Sequence, residues 1–387
     1  MSPTSKPRGA LWNLGFRPFY LFASAFAALS VGLWVLQYAG VFPQSPLQGA
    51  QWHGHEMLFG YALAVVAGFL LTAVRAWTGE ATASGATLAA LVVLWVAGRV
   101  LVLTPYALAA ALVNAAFPIA VAIAIAVPLA RAANRRNYFF VAVLVAAGVA
   151  DLAFHLSAMG AVAWTARASL QVGLDIVLFV VAVVAGRVIP MFTNNGVPGA
   201  GATRHPWVER AALAAVLALL AADAAGAGAG WIGAIAAFGA AAHGARLALW
   251  RPWRTLRRPL VWVLHAAYAW IVIHLALRAF AAAGWIAESL ATHALTLGVI
   301  GGMTLGMMTR TARGHTGRPL VADRFEVACF ALVQLAALVR VLGPLGAPAA
   351  YMAVVLASGA LWSAAFAIYF VRYWPILTRP RIDGKPG

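Results

Sequence analysis

Long apolar stretches alternate with short polar connections along the whole chain. Runs of about 20 apolar residues, enough to cross a bilayer core, predict roughly twelve helices. They fall near 18–40, 54–75, 86–103, 107–130, 138–160, 168–191, 207–226, 229–250, 259–282, 286–309, 325–343 and 348–373. Each connection carries a breaker: Pro43 and Pro46, Gly79 and Gly85, Pro105, Pro198 and Gly201, Pro252, Pro319, Pro344 and Pro348. The third and fourth helices meet at Thr104-Pro105 with almost no loop, and the Gly/Ala run 226–230 reads as a turn or a kink. No connection is long enough for a soluble domain. The predicted fold is therefore all-α: a polytopic integral membrane protein, one transmembrane helical domain over 1–387 with short tails at 1–16 and 375–387.

Composition agrees with the pattern. The chain is 64% hydrophobic and 10% charged, against about 25% charged in a soluble domain. Its net charge of +17 would point to nucleic acid in a soluble protein, but the arginines collect in alternate connections, which sets membrane orientation instead. Lys6, Arg8 and Arg17 share a side with Arg131, Arg135 and Arg136; with Arg204 and Arg210; with Arg251, Arg254, Arg257 and Arg258; with Arg310, Arg313, Arg318 and Arg324; and with Arg379, Arg381 and Lys385. The opposite connections are nearly bare: Gln44 to Gln51 has no charge, and Arg167 and Glu288 stand almost alone. Both termini are expected to be cytoplasmic. No cleavable leader is read at the start, where Phe16-Arg17-Pro18 opens a run long enough to span. The single cysteine, Cys329, excludes an internal disulfide and a cysteine-based cluster.

Ionisable groups inside a bilayer are costly and mark ligand, ion or proton sites. The run Trp52-His53-Gly54-His55-Glu56-Met57 opens the second span with two imidazoles and a carboxylate. At about 1.5 Å per residue, His53, His55, His155, His293 and His274 fall toward the outer surface. His265 and His243 lie deeper, and His205 and His315 sit in inner connections. Imidazole is the commonest ligand for haem iron, copper and zinc, so this convergence argues for a metal centre. His53 and His55, two residues apart, can both face one ion only where the segment is irregular, which Gly54 permits. Asp151 and His155 share a helix face and could pair. His265 and His274, nine apart, face opposite ways. Met303 and Met307 read as core rather than ligands. Asp151 and Asp175 face the interior, and with Glu56 are candidate proton carriers. Arg99, Arg278 and Arg340 lie near outer helix ends, where guanidinium suits carboxylates. Transporter folds often carry internal repeats, and none is evident between the two halves.

Several blocks resemble the NnrS family of bacterial membrane proteins: Asn13-Leu-Gly-Phe-Arg-Pro-Phe19, Trp52-His-Gly-His-Glu-Met-Leu-Phe-Gly60, Ala67-Gly-Phe-Leu-Leu-Thr-Ala73, Trp77-Thr-Gly79, Gly186-Arg-Val-Ile-Pro-Met-Phe-Thr193, His293-Ala-Leu-Thr-Leu-Gly298 and Met308-Thr-Arg-Thr-Ala-Arg-Gly-His-Thr-Gly-Arg318. The resemblance implies haem b and copper, nitric oxide as ligand, relief of nitrosative stress, and the inner membrane of a bacterium. The family-matching histidines are His53, His55, His155, His265, His293 and His315; His274, His243 and His205 fall outside the motifs. On this reading His53 and His55 form a copper arm, His155, His265 and His293 present imidazoles to a haem, and Arg99 and Arg278 suit its propionates. His315 is expected to be a polar cap tying the tenth helix to the eleventh. Glu56, beside the copper arm on the water-accessible side, is the leading proton donor.

Three functions then compete. One is reduction of two nitric oxide molecules to nitrous oxide, drawing electrons from a membrane or periplasmic donor. The second is sensing or sequestering nitric oxide without turnover. The third is metal or solute transport.

Overall fold

The computed structural model describes residues 9–41 and 49–385, and over these it is helical with no strand. Lys6, Arg8, Pro43, Pro46 and the Gln44 end of the bare connection lie outside the described residues. Twelve helices correspond one to one with the predicted spans: α1 Phe16–Tyr38, α2 Gly49–Thr78, α3 Gly85–Leu101, α4 Ala107–Arg131, α5 Phe139–Ala158, α6 Ala166–Gly196, α7 Pro206–Ala224, α8 Ala229–Leu249, α9 Pro259–Ala282, α10 Glu288–His315, α11 Arg324–Gly346 and α12 Tyr351–Thr378. Ten helical segments are long and apolar enough to cross a membrane, so this is a multi-pass membrane protein. Of the other two, α3 has 17 residues, and α7 has 19 but carries Glu209, Arg210 and Asp223.

The ends follow their local chemistry. Pro206 and Pro259 open α7 and α9 at the first turn, where a missing N–H costs nothing. Asp323 and Glu326 form a reciprocal capping box on α11. The 226–230 run is a true turn, with Gly226 in the left-handed region.

Two of the helices share an unusual build. In α2 the residues Glu56–Ala62 wind as π-helix, and in α10 the residues Ala294–Gly301 do the same. Each π segment begins directly after a histidine, His55 or His293. The likeness extends into the sequence. At one constant spacing His55, Gly60, Gly68, Arg75, Thr78 and Gly79 align with His293, Gly298, Gly306, Arg313, Thr316 and Gly317. Gly79 and Gly317 each stop their helix in the left-handed region, at φ 74° and 77°, a conformation that glycine adopts without a Cβ penalty. The expectation of no internal repeat is thus corrected over this stretch. The matching positions are sparse, and the apolar residues between them differ.

The helices gather into two compact units. Unit 1 comprises the described parts of 1–173, 308–320 and 366–387. Here α1 lies tight on α2: a Cβ added at Gly68 would stand 2.8 Å from the Phe19 Cβ. The Phe16 N–H donates to Thr72 Oγ1 (3.0 Å), giving an orphan donor at the start of α1 its partner. Buried Arg17 donates to the Leu377 and Arg379 carbonyls, both at 2.9 Å. It thereby caps the end of α12, where the helix dipole favours a cation.

Unit 2 comprises 174–307 and 321–365. Its core holds two buried ionic groups. Arg246 donates to Glu209, to the Ala182 carbonyl and to Tyr268. Tyr268 donates to His243 Nδ1, whose Nε2–H reaches the Ala212 carbonyl. Both ring nitrogens of His243 are satisfied, which is the arrangement of a structural histidine. In the second group Arg278 donates to both oxygens of Asp223 at 2.6 and 2.7 Å and to Asp175 at 3.4 Å.

Candidate metal centre

The first turns of α2, Gly49–His55, are regular α-helix. Gly54 serves packing rather than irregularity, since a Cβ there would lie 3.0 Å from Leu170. This corrects the expected copper arm: on a continuous helix residues two apart point to opposite sides. His53 turns away and stacks on Trp34 with ring centroids 4.2 Å apart, while His55 turns inward and is fully buried.

At His55 the α-helix gives way to the π segment. The wider π turn admits an extra residue and frees carbonyls from the regular ladder, a feature frequent at functional sites. One such carbonyl, Gly60 O, accepts the Trp95 indole N–H at 2.9 Å, which ties α3 to the π segment. Arg99, one turn further along α3, places Nη1 3.1 Å from Glu56 Oε1 and is held by the side-chain oxygen of Asn114. Asn114 in turn donates to the Ala110 carbonyl.

His55 is bracketed by carboxylates. Its Nδ1 lies 2.8 Å from Glu56 Oε1 and its Nε2 lies 2.9 Å from Asp151 Oδ1. Asp151 and His155 sit one turn apart on α5, with His155 Nε2 3.6 Å from the same Asp151 oxygen. The relative exposures of His55, Glu56, Asp151 and His155 are 0%, 1%, 1% and 3%. Phe154 stacks on the His55 ring at 4.9 Å, and Phe59 lies beside it at 5.5 Å. An imidazole facing a carboxylate at each nitrogen donates to both only as imidazolium. With His55 in that form, the charges of Glu56, Asp151, His55 and Arg99 cancel, as a low-dielectric interior requires.

The same geometry fits a metal ion. One donor atom from each of His55, Asp151 and His155 lies within 4.8 Å of the other two, and His155 Nε2 has no hydrogen-bond partner. Two imidazole nitrogens and one carboxylate oxygen suit divalent first-row ions, copper included. A metal at His55 Nε2 takes the place of one proton, and Glu56 then orients the ring from Nδ1 in the manner of an outer-shell carboxylate.

The remaining sequence candidates are placed as follows. Glu56 is buried against His55 and Arg99, not water-accessible as expected, because the π segment turns it inward. His265 and His293 belong to unit 2, as do Asp175 and Arg278, whose guanidinium is taken up by Asp223 and Asp175. His265 Nε2 lies 2.8 Å from Thr193 Oγ1. His315 closes α10 with its ring 5.6 Å from that of Phe16, and its carbonyl accepts from Arg381. The cap at His315 therefore reaches α1 and the C-terminal segment as well. Sequence reasoning missed Asn114, Trp95, Asp223 and Glu209. The available signals among them were the lone amide inside the apolar run of α4 and the two carboxylates within the predicted span 207–226.

These features define a polytopic helical membrane protein with a buried histidine–carboxylate cluster of metal-binding geometry. The chain belongs to the NnrS protein family, whose model matches residues 10–381. Membership links it to the nitric oxide response and to metals. A comparison with curated proteins finds no match.

Proposed function

We propose that this protein binds nitric oxide at a copper ion held by His55, Asp151 and His155 and reduces it to nitrous oxide in the inner membrane of a bacterium, relieving nitrosative stress. The observation that carries the reading is the convergence of these three buried donors. Copper bound there supplies Lewis acidity and an electron relay. The balance is two nitric oxide molecules, two electrons and two protons giving nitrous oxide and water, with the electrons drawn from a reduced membrane or periplasmic carrier. The N–N bond forms between the two molecules, and one of their oxygens leaves as water.

The protein's own groups orient the ligands and supply protons. Asp151 faces both imidazoles and fixes their separation. With the metal on His55 Nε2, Glu56 faces the remaining Nδ1–H at 2.8 Å and is the group beside the ion that can hand on a proton. Arg99, held by Asn114, keeps Glu56 in place. Phe59 and Phe154 line the His55 ring with apolar walls. Both termini lie on the cytoplasmic side in this reading, as the arginine distribution indicates.

The test is a single-turnover assay with chemically reduced, metal-loaded protein. Nitrous oxide formed in a wild-type turnover supports the reading, and Glu56→Gln should retain copper while losing most of the product. Stable nitric oxide binding without product, under ample reductant, replaces reduction with sequestration.

A further inference from the structure

We infer that unit 1 holds an anion site at its arginine-rich end, where the guanidinium of Arg17 takes a phosphate group bidentate and Arg318 and Arg381 supply further positive charge. The ligand class is a phosphate oxyanion, carried on a phospholipid headgroup or free in solution. The site is separate from the copper cluster, and neither reading depends on the other.

Arg17 stands in the first turn of α1 and is 0% exposed. Its Nη1 is taken up by the Leu377 and Arg379 carbonyls, both at 2.9 Å. Its Nε and Nη2 are buried and have no hydrogen-bond partner. Those two atoms form the side-on edge of the guanidinium, whose parallel N–H groups match two oxygens of one phosphate or carboxylate. Carbonyls do not neutralise the charge. No carboxylate acts on Arg17 among the described residues, and the charges that do are those of Arg318 and Arg381. An ion buried without a counter-charge is strongly destabilising, and an anion from outside the chain relieves that.

Three segments of unit 1 meet here. Helix α1 brings Arg17, the turn after α10 brings Arg318, and the segment after α12 brings Arg381. Arg381 Nη1 donates to the His315 carbonyl at 3.0 Å, and the Ile382 N–H donates to the Thr316 carbonyl at 3.2 Å. The His315 ring in turn lies 5.6 Å from that of Phe16, the neighbour of Arg17. Arg318 Nη1 is a further buried nitrogen with no partner. Burial and the charges of Arg313 and Arg379 hold the Arg318 guanidinium below its ordinary value, so it too stands among like charges. Asp383, the acid of this segment, is engaged by Arg381 through both oxygens, at 2.8 and 2.6 Å. Three guanidinium groups thus share one carboxylate.

The geometry favours phosphate over carboxylate. A carboxylate uses both oxygens on the Arg17 edge, whereas a phosphate has oxygens left for Arg318. Arg318 and Arg381 are half-buried, so the approach to Arg17 is from the surface they form. Basic recesses at helix ends are where a membrane protein holds phosphate headgroups. Arg17 lies in the block Asn13–Phe19 and Arg318 closes the block Met308–Arg318, two motifs that the copper cluster leaves unused.

The test follows thermal unfolding of full-length protein, stripped of lipid in detergent, as a probe is added at constant ionic strength. The probes are inorganic phosphate, phosphatidylglycerol, and diacylglycerol, which lacks the phosphate. The unfolding temperature should rise saturably with a phosphate-bearing probe and stay unchanged with diacylglycerol. Saturation by phosphatidylglycerol but not by inorganic phosphate identifies a lipid headgroup, and saturation by inorganic phosphate identifies a soluble oxyanion. Arg17→Lys keeps the charge without the two-pronged edge and should bind about tenfold more weakly, as loss of one charged hydrogen bond implies. Because Arg17 also caps α12, Arg318→Gln is the variant that spares that cap. It should unfold at the wild-type temperature without probe and weaken binding by a similar factor. No saturable response in the wild type, or wild-type affinity in Arg318→Gln, overturns the inference.

Discussion

The helices α2 and α10 carry one backbone plan and two chemistries. Both run a short α-helix to a histidine, widen into a π segment, return to α-helix and stop at a left-handed glycine. In α2 the histidine lies between two carboxylates, with an arginine beyond. In α10 it anchors on its own helix and meets no acid at the following position. The π segment sets where the ring stands, and the neighbours set what it meets: two carboxylates at His55 and a carbonyl of its own helix at His293. A repeated scaffold thus teaches position, and the function of each copy must be argued from the groups around it.

The largest expected effect comes from removing the acid that distinguishes α2. Asp151→Ala leaves His55 and His155 without their shared carboxylate. It should abolish copper binding and cost about 3–5 kcal/mol, as breaking a buried ion pair does. Unfolding in detergent and metal content measure the two effects, and a fully copper-loaded Asp151→Ala protein would remove the contrast between the helices.

Next are the equivalent glycines Gly60 and Gly298. An added Cβ at Gly298 runs into the Trp270 ring, and at Gly60 into the Arg99 guanidinium. The tryptophan is packed and tied to Gln334, so Gly298→Ala should cost about 1–3 kcal/mol as overpacking. The guanidinium is the far end of a flexible chain and can move. Gly60→Ala should therefore cost less stability but displace Arg99 from Glu56 and slow turnover. Equal stability losses with normal turnover would show that the two positions do not differ as described.

The smallest effect lies at the far ends. Nothing stands near Gly79, while Gly317 faces Asp383, which binds Arg381 at 2.6 Å. The Arg381 hydrogen bond holds the Asp383 carboxyl below its ordinary value of 3.8. A lowered carboxyl value stabilises the folded form above that ordinary value and loses the contribution as pH falls through the folded one. Asp383→Asn should thus matter little at neutral pH, because exposed pairs contribute little, and should flatten the acid limb of a melting curve near pH 3.8 and below. An unchanged acid limb would show that this contact adds nothing to the closing turn.

The twelve helices were legible because hydropathy alone defines them, down to the 259–282 span, which matches α9 at both ends. The Asp151–His155 pair was legible from its spacing. Its meeting with His55 was not, because it depends on α2 and α5 packing together. Nor was the π segment, since no residue type marks an extra residue in a helical turn; that blindness placed Glu56 on the wet side, while the His53 error came from starting the second span at 54 when the helix already runs from Gly49. The repeat escaped notice because its shared positions are isolated small or polar residues in a field of interchangeable apolar ones.

The central claim is that nitric oxide is turned over at the unit 1 cluster. His155 is the sharpest probe, because its Nε2 has no hydrogen-bond partner to lose and its removal leaves the His55 carboxylates in place. In single-turnover assays with isotope-labelled nitric oxide, wild-type and His265→Ala proteins should release labelled nitrous oxide and His155→Ala should release none. Full product release from a folded, copper-free His155→Ala protein would contradict the account.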